Sequence, residues 1–364
     1  MGARLVVEKD ALIRNYLKLR DTCGVEVIPV LKSNAYGLGL LQAAGIFSEL
    51  GAKHIAVSRV GEAELLSNYG VEAELILLSS SDSKSDIERG VRSGATLAAG
   101  SLLSLQLINE AADRAERKVR VHLLIDTGFS HSGLRDFEYE KAANMLPALR
   151  YVTVTGIFTQ FSESHAERQL FTELQNERFE NAVKFFTKRI GRKLLVHAAN
   201  SCAAVRYPET RYDAVRIGSG LLGRLPAGIE AGLTKIGCLE CDIAEIKLIE
   251  KGRYVGYSRQ FKTKRKTKLA LLHIGMSDGL AEGKLPYGRK RFSKLKDALK
   301  GIVNAFGDDK IYGYVNGKKV PVAGKISQHC LALDVTGVDC AVGDVVRFNA
   351  NPLFVPSGVE RVYV

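Results

Sequence analysis

Lys32 stands where an apolar run, Val27–Leu31, gives way to a glycine-bearing loop, Ser33-Asn34-Ala35-Tyr36-Gly37-Leu38-Gly39. An amine at the mouth of a sheet is partly shielded from water. Desolvation disfavours the ammonium, so such a lysine is a better nucleophile and Schiff-base former than a surface one. The plainer alternative is a strand-end lysine that is only solvated. Further along, His197-Ala198-Ala199-Asn200-Ser201 follows another apolar run, and Ser201 either offers its hydroxyl to an anion or caps a helix. Arg216 falls inside the run Ala214–Gly218. A buried guanidinium without a partner is very costly, so it needs an acceptor: a heterocyclic nitrogen, or a nearby His or Tyr.

Gly218-Ser219-Gly220-Leu221-Leu222-Gly223 spells G-x-G-x-x-G. A dinucleotide site would need that motif after the first strand of a βαβ unit, with an acidic residue further on. Here it follows the last strand-like run of an α/β region, and β-rich sequence comes next, so the dinucleotide reading fails. Amides beside glycine after a late barrel strand suit a phosphate; the alternative is a simple strand-to-turn cluster. Cys238 and Cys241 form a C-x-x-C without a second pair, and no metal site is expected, since structural zinc takes about four ligands.

The elements that must position these groups read as α/β. Eight strand-like runs, Val27–Leu31, His54–Val57, Glu74–Leu78, Ala95–Ala98, Val119–Ile125, Val152–Thr159, Leu194–Ala198 and Ala214–Gly218, alternate with helical patterns such as Leu40–Leu50, Ser101–Arg117 and Gln169–Arg189. That alternation predicts a (β/α)8 TIM-type barrel over residues 8–226, with a doubly wound open sheet as the alternative. A barrel would put Lys32, Asp126, Gln160, His197 and Arg216 at or near C-terminal strand ends. After about Pro226 the pattern turns to short strands: Asp242–Ile249, Leu269–His273, Lys319–Ala323, Leu331–Val335 and Val345–Asn349, with a turn at Asn316-Gly317. Residues 1–7 with 227–364 are therefore expected to form a second, mainly β domain. One piece interrupts it at about 285–309, where Phe292, Leu295, Leu299, Ile302, Val303 and Phe306 recur at helical spacing with a basic opposite face. That insertion would pack on its own domain, or face a membrane or partner.

Composition narrows the function classes. With 46% hydrophobic and 25% charged residues, the chain reads as an ordinary globular protein. No run approaches the ~18 apolar residues of a membrane span, and the first residues lack an apolar signal-peptide core. Six scattered cysteines fit a reducing cytoplasm. The net charge of +12 is concentrated in Arg259–Lys268 and Lys284–Lys300, and no nucleic-acid module accompanies it, so a solvated basic rim is expected rather than a nucleic-acid partner.

Taken together, the motifs resemble those of the alanine racemases, fold-type III enzymes dependent on pyridoxal 5'-phosphate, over nearly the full length of the chain. Val30–Gly39 resembles the cofactor-lysine motif, which implies that Lys32 holds the cofactor covalently and that Tyr36 contacts its phosphate. His197–Ala204 resembles the histidine–Asn–Ser segment, implying His197 beside the cofactor and Ser201 at the phosphate. Val215–Ser219 resembles the motif whose arginine, here Arg216, bonds the pyridine nitrogen and whose following amides, at Gly218 and Ser219, hold the phosphate. Gly256-Tyr257-Ser258 resembles the segment with the second catalytic residue, and His273–Gly279 and Asp334–Asp344 match further second-domain motifs. The resemblance implies two-base proton exchange at Cα of a free amino acid by Lys32 and by Tyr257 of a partner subunit, in a head-to-tail homodimer with two shared sites. An arginine at the pyridine nitrogen keeps it unprotonated, which weakens the electron sink and suppresses side reactions.

The chain departs from that pattern at several positions. Leu124 stands where the family has a lysine, His131 lies near the place of an arginine beside the substrate carboxylate, and Gln160 replaces the histidine paired with the catalytic tyrosine. Gln328-His329 replaces a Met-Asp pair, and the C-terminal segment that supplies another phosphate tyrosine is shortened around Asn351–Val359. His131, Gln160 and Gln328 are therefore the candidate substrate-side residues, and specificity is expected to be altered or relaxed. His131 replaces a permanent cation only when protonated. Two other classes remain: a decarboxylase on the same barrel, although the Gly–Glu–Pro–Gly–Arg phosphate motif is missing, and a non-catalytic cofactor-binding or scaffold protein.

Overall fold

Strand β1 (Arg4–Val7) opens the chain, and the next eight strands form one parallel sheet: β2 (Glu26–Pro29), β3 (His54–Val57), β4 (Glu74–Leu77), β5 (Thr96–Ala99), β6 (Val119–Ile125), β7 (Val152–Thr159), β8 (Leu195–His197) and β9 (Ala214–Ile217). The structure, a computed structural model, describes residues 2–166, 170–226, 228–280 and 311–364. It divides into two compact units, Lys9–Ile236 and a second formed by Met1–Glu8 with Gly237–Val364. In the first, the strand order is β2-β9-β8-β7-β6-β5-β4-β3. A bridge between Val30 and Ala56, with Leu31 N–H donating to Ala56 O at 2.8 Å, brings the two end strands together. The expected barrel is thus borne out. Its strands are short and almost wholly buried because each is covered by helices outside and by side chains within, which is why they read as continuous apolar runs.

The helices between them follow from amphipathic spacing and caps. In Leu102–Arg114 the buried residues Leu105, Ile108, Ala111 and Ala112 form one stripe. Ser101 and Ser104 close its N-terminus, each hydroxyl accepting from the other's backbone N–H at 2.8 and 3.0 Å. Residues 228–236, the last of the barrel unit, are tied back to it by the Ile236 N–H to Leu222 O hydrogen bond of 3.1 Å.

In the second unit, β10 (Cys238–Ile249) is the spine. Its first half pairs with β1 and with β17 (Val345–Asn349); its second half pairs with β13 (Thr267–Leu272). A register shift between Ile243 and Glu245 lets one strand serve both. A small hairpin, β11 (Tyr254–Val255) with β12 (Phe261–Lys262), carries Tyr257 at its tip. The remaining strands are β14 (Tyr312–Val315), β15 (Lys318–Pro321), β16 (Leu331–Asp334) and β18 (Glu360–Tyr363), the last pairing parallel to β1. Cys238 and Cys241 lie three apart on β10, so their side chains leave opposite faces and cannot share a metal. The amphipathic segment expected at about 285–309 lies outside the described residues.

Candidate active site

Immediately after β2 the backbone does something that sequence reasoning did not foresee. Ser33, Asn34, Ala35 and Tyr36 all adopt left-handed conformations, with φ of 53–56°. None is glycine, and the left-handed helix costs about 1–2 kcal/mol per residue. The turn is held from several sides. Ala35 N–H donates to Leu31 O at 2.8 Å and Gly37 N–H to Ser33 O at 3.0 Å. Asn34 Oδ1 accepts from Leu40 N–H at 2.7 Å. Glu62, at the start of the helix after β3, accepts from Ser33 N–H at 2.7 Å through one carboxylate oxygen and from Ser58 and Arg59 N–H through the other. Lys32 heads this turn and is exposed rather than partly shielded, because its side chain leaves the strand end toward an open cavity. Its Nζ lies 5.8 Å from the Tyr36 ring centroid.

That cavity, about 280 Å3, lies at the C-terminal ends of the barrel strands and gathers Lys32, Tyr36, Gln160, Ser201, Arg216, Gly218 and Ser219 along its wall. Asn200, not Ser201, caps the helix Ser201–Arg206; its Oδ1 accepts from Cys202 and Ala203 N–H, both at 3.1 Å. Ser201 Oγ instead accepts from Gly218 N–H at 3.0 Å and Gly220 N–H at 3.2 Å. A hydroxyl has two lone pairs and one proton, so with both lone pairs engaged its O–H is left as a donor. The expectation that the Gly218 amide is open to an anion is corrected accordingly: the serine covers it and turns a pair of amides into one hydroxyl donor. Gly218 is required for a second reason. A Cβ there would overlap the Tyr36 ring and hydroxyl. Burial pushes the Tyr36 phenol up to about 12, so it stays a neutral donor at ordinary pH.

Beneath the cavity runs a line of buried polar groups. Arg216, 4% exposed, donates through Nη1 to His197 O (2.8 Å) and His197 Nδ1 (3.0 Å). Through Nη2 it donates to Thr159 O (2.7 Å), Ala198 O (3.1 Å) and Gln160 Oε1 (3.1 Å). A guanidinium only donates, so His197 Nδ1 accepts and its Nε2 carries the proton. That proton is directed at His122 Nδ1, 3.0 Å away. Burial holds both imidazoles neutral: His122 is pushed down to about 3, and His197 well below its ordinary value, with Arg216 adding repulsion to each. Burial also lowers Arg216 to about 10, which leaves it charged at neutral pH. Its Nε–H has no hydrogen-bond partner among the described residues, and the side chain borders the cavity. His122 was not singled out in the sequence; a lone histidine within an apolar run was its only signal.

The departures fall into a pattern. Leu124 packs with Ala98, Phe158 and Leu78 into a small apolar cluster where a charge would be desolvated. His131 is exposed, edge-on to Phe129 with ring centroids 4.4 Å apart, and does not border the cavity. Ser164, His165 and Cys202, absent from the sequence-derived set, do border it. In the β unit, Tyr257 is 70% exposed and borders an apolar cavity of about 440 Å3 with Val255, His273, Lys325, Ser327 and Cys330. Gln328 is exposed beside it, its Oε1 accepting from Ser277 Oγ at 3.0 Å.

Comparison with known proteins matches both units. The family described as alanine racemase, N-terminal domain, matches residues 7–226, and the alanine racemase C-terminal domain matches residues 237–352. The chain is 30% identical over 353 residues to alanine racemase 2 of Caldanaerobacter subterraneus subsp. tengcongensis, covering 94% of this chain and 84% of that protein. It is 29% identical to the alanine racemase of Clostridium tetani, covering 93% and 84%. Among solved structures, the fold matches alanine racemase of Clostridium difficile 630 with a TM-score of 0.85 at 22% identity, over 100% of this chain and 96% of that one. It also matches the Bartonella henselae alanine racemase with covalently bound pyridoxal phosphate, with a TM-score of 0.80 at 21% identity, over the whole of both chains. With two domain families matched in order along the two units, the chain belongs to the alanine racemase family.

Proposed function

We propose that this protein is a pyridoxal 5'-phosphate-dependent racemase of a free small amino acid, alanine or a near relative, working in the cytoplasm as a head-to-tail homodimer. The observation that carries the reading is the gathering of Lys32, Tyr36, Ser201 and Arg216 around one cavity at the strand ends of the barrel. The residues present fit the cofactor. Lys32 offers an exposed amine for its aldehyde, and Tyr36 Oη and Ser201 O–H are donors suited to its phosphate. Arg216 Nε–H is left for a ring nitrogen, and the missing Cβ of Gly218 lets the Tyr36 phenol lie against the strand end. Pyridoxal phosphate, when bound, supplies the electron sink that makes the Cα–H of an attached amino acid acidic.

The chain's own groups do the rest. Lys32 Nζ takes or returns the proton on one face of Cα, and Tyr257 of the partner subunit does so through Oη on the other. Arg216 keeps its charge and direction because five groups on four residues accept from its Nη atoms, two of them on His197. Gln160 shares in that role without titrating: it accepts from Arg216 and donates to Phe161 O at 3.3 Å. With Leu124 apolar and His131 away from the cavity, no fixed cation is assigned to the substrate carboxylate, which favours relaxed selectivity among small amino acids. The test is Cα proton exchange in deuterated water over a panel of amino acids, with Lys32→Ala and Tyr257→Phe as controls. Exchange on small amino acids, abolished by Lys32→Ala and reduced to one enantiomer by Tyr257→Phe, is the expected result. No exchange on any amino acid contradicts the reading.

A further inference from the structure

The cavity beside Lys32 poses a charge problem. A phosphate dianion held only by neutral donors is poorly compensated, whereas a charge-assisted hydrogen bond is roughly twice as strong as a neutral one. Three side chains bordering the cavity can carry a positive charge: Lys32, Arg216 and His165. Lys32 is taken by the aldehyde in the function proposed above, and the Nη atoms of Arg216 are spent on His197, Gln160 and backbone carbonyls. His165 remains. Its imidazole has no hydrogen-bond partner among the described residues and is exposed at the cavity.

The backbone on either side of His165 is fixed to the turn that carries Ser201. Ser164 Oγ donates to Asn200 Oδ1 at 3.0 Å, and Ser164 O accepts from Cys202 Sγ at 3.1 Å and from Arg206 Nη1 at 3.2 Å. Ala166 O accepts from the same Arg206 nitrogen at 2.7 Å. Two carbonyls flanking one residue are thus pinned by residues of Ser201–Arg206. A histidine without a partner among the described residues, between two anchored neighbours and lining the same cavity as Ser201, is placed as a ligand rather than as a fold element.

We infer that His165 is a ligand for the phosphate of the cofactor and supplies the cationic donor in that subsite. This rests on the cofactor assignment proposed above.

The test compares two aldehydes that differ only in the phosphate, pyridoxal 5'-phosphate and pyridoxal, by equilibrium dialysis against wild-type, His165→Ala and His165→Asn chains stripped of cofactor. His165→Ala is expected to weaken pyridoxal phosphate about tenfold, as for loss of one charge-assisted hydrogen bond, with pyridoxal unchanged. His165→Asn, which keeps a donor without a charge, falls between. In the wild-type chain, pyridoxal phosphate but not pyridoxal should protect His165 from diethyl pyrocarbonate, read by peptide mass spectrometry; this needs no variant to fold. Equal losses for both aldehydes, no loss for either, or no difference in protection overturns the inference while the cofactor reading stands. Failure of the wild-type chain to bind either aldehyde overturns both.

Discussion

Arg216, His197 and His122 make sense only together. The arginine fixes the tautomer of one imidazole, which fixes the other, and both must stay neutral to accept what they are given. Neutral burial has a pH consequence. Unfolded, each histidine titrates near 6.5; folded, His122 titrates near 3 and His197 well below its ordinary value. Between those limits the unfolded chain binds more protons than the folded one, so stability is fully present above about pH 6.5 and is lost as the pH falls toward 3. Each histidine contributes a slope of about 1.4 kcal/mol per pH unit across that window. His122→Asn, which keeps an acceptor for His197 Nε2–H, should flatten the fall in unfolding free energy between pH 6.5 and 4.5 by roughly that amount. Chemical denaturation at several pH values measures it, and parallel slopes for the two proteins would refute the linkage.

At the scale of elements, the left-handed turn Ser33–Tyr36 is where the barrel departs most from what its sequence would choose. Strain of this kind persists where surrounding structure over-determines it, and here one of the restraints, on Ser33 N–H, comes from a carboxylate on a neighbouring element. Glu62→Ala strips three backbone N–H groups, of Ser33, Ser58 and Arg59, of their acceptor. It is expected to cost about 1–3 kcal/mol of stability and to slow aldehyde capture at Lys32. Urea unfolding with stopped-flow absorbance measures both, and unchanged behaviour in both would show that the turn is held without it. The same elements show what was legible beforehand. The barrel strands announced themselves because burial on both faces makes continuous apolar runs, and Val119–Ile125 and Val152–Thr159 fall where the sequence placed them. Strand β18 did not, because none of its residues is fully buried, and β14 is only four residues long, with two of them buried. The motif residues Lys32, Tyr36, Ser201 and Arg216 were legible as a set. Glu62 and His165 were not, since they reach the site through tertiary contacts that no local spacing records.

For the whole molecule, the proposed sharing of sites makes a prediction that neither unit makes alone. If Lys32 of one subunit works with Tyr257 of the partner subunit, a mixed dimer of Lys32→Ala and Tyr257→Phe chains contains one intact site and one doubly defective site. Random assortment then yields about half mixed dimers and recovers about a quarter of wild-type racemisation, from two parents that each lack it. Recovery on co-expression or on refolding of the mixture measures this; a mixture no more active than its parents places both groups in one chain. Among the described residues no helix is long and apolar enough to cross a membrane.

All three scales depend on Lys32 capturing an aldehyde. The direct measurement is borohydride reduction of the protein loaded with pyridoxal 5'-phosphate, followed by peptide mass mapping. A single stable adduct on Lys32, absent from Lys32→Ala, is the predicted result. An adduct that maps to another lysine, or a protein that takes up none, would contradict the account.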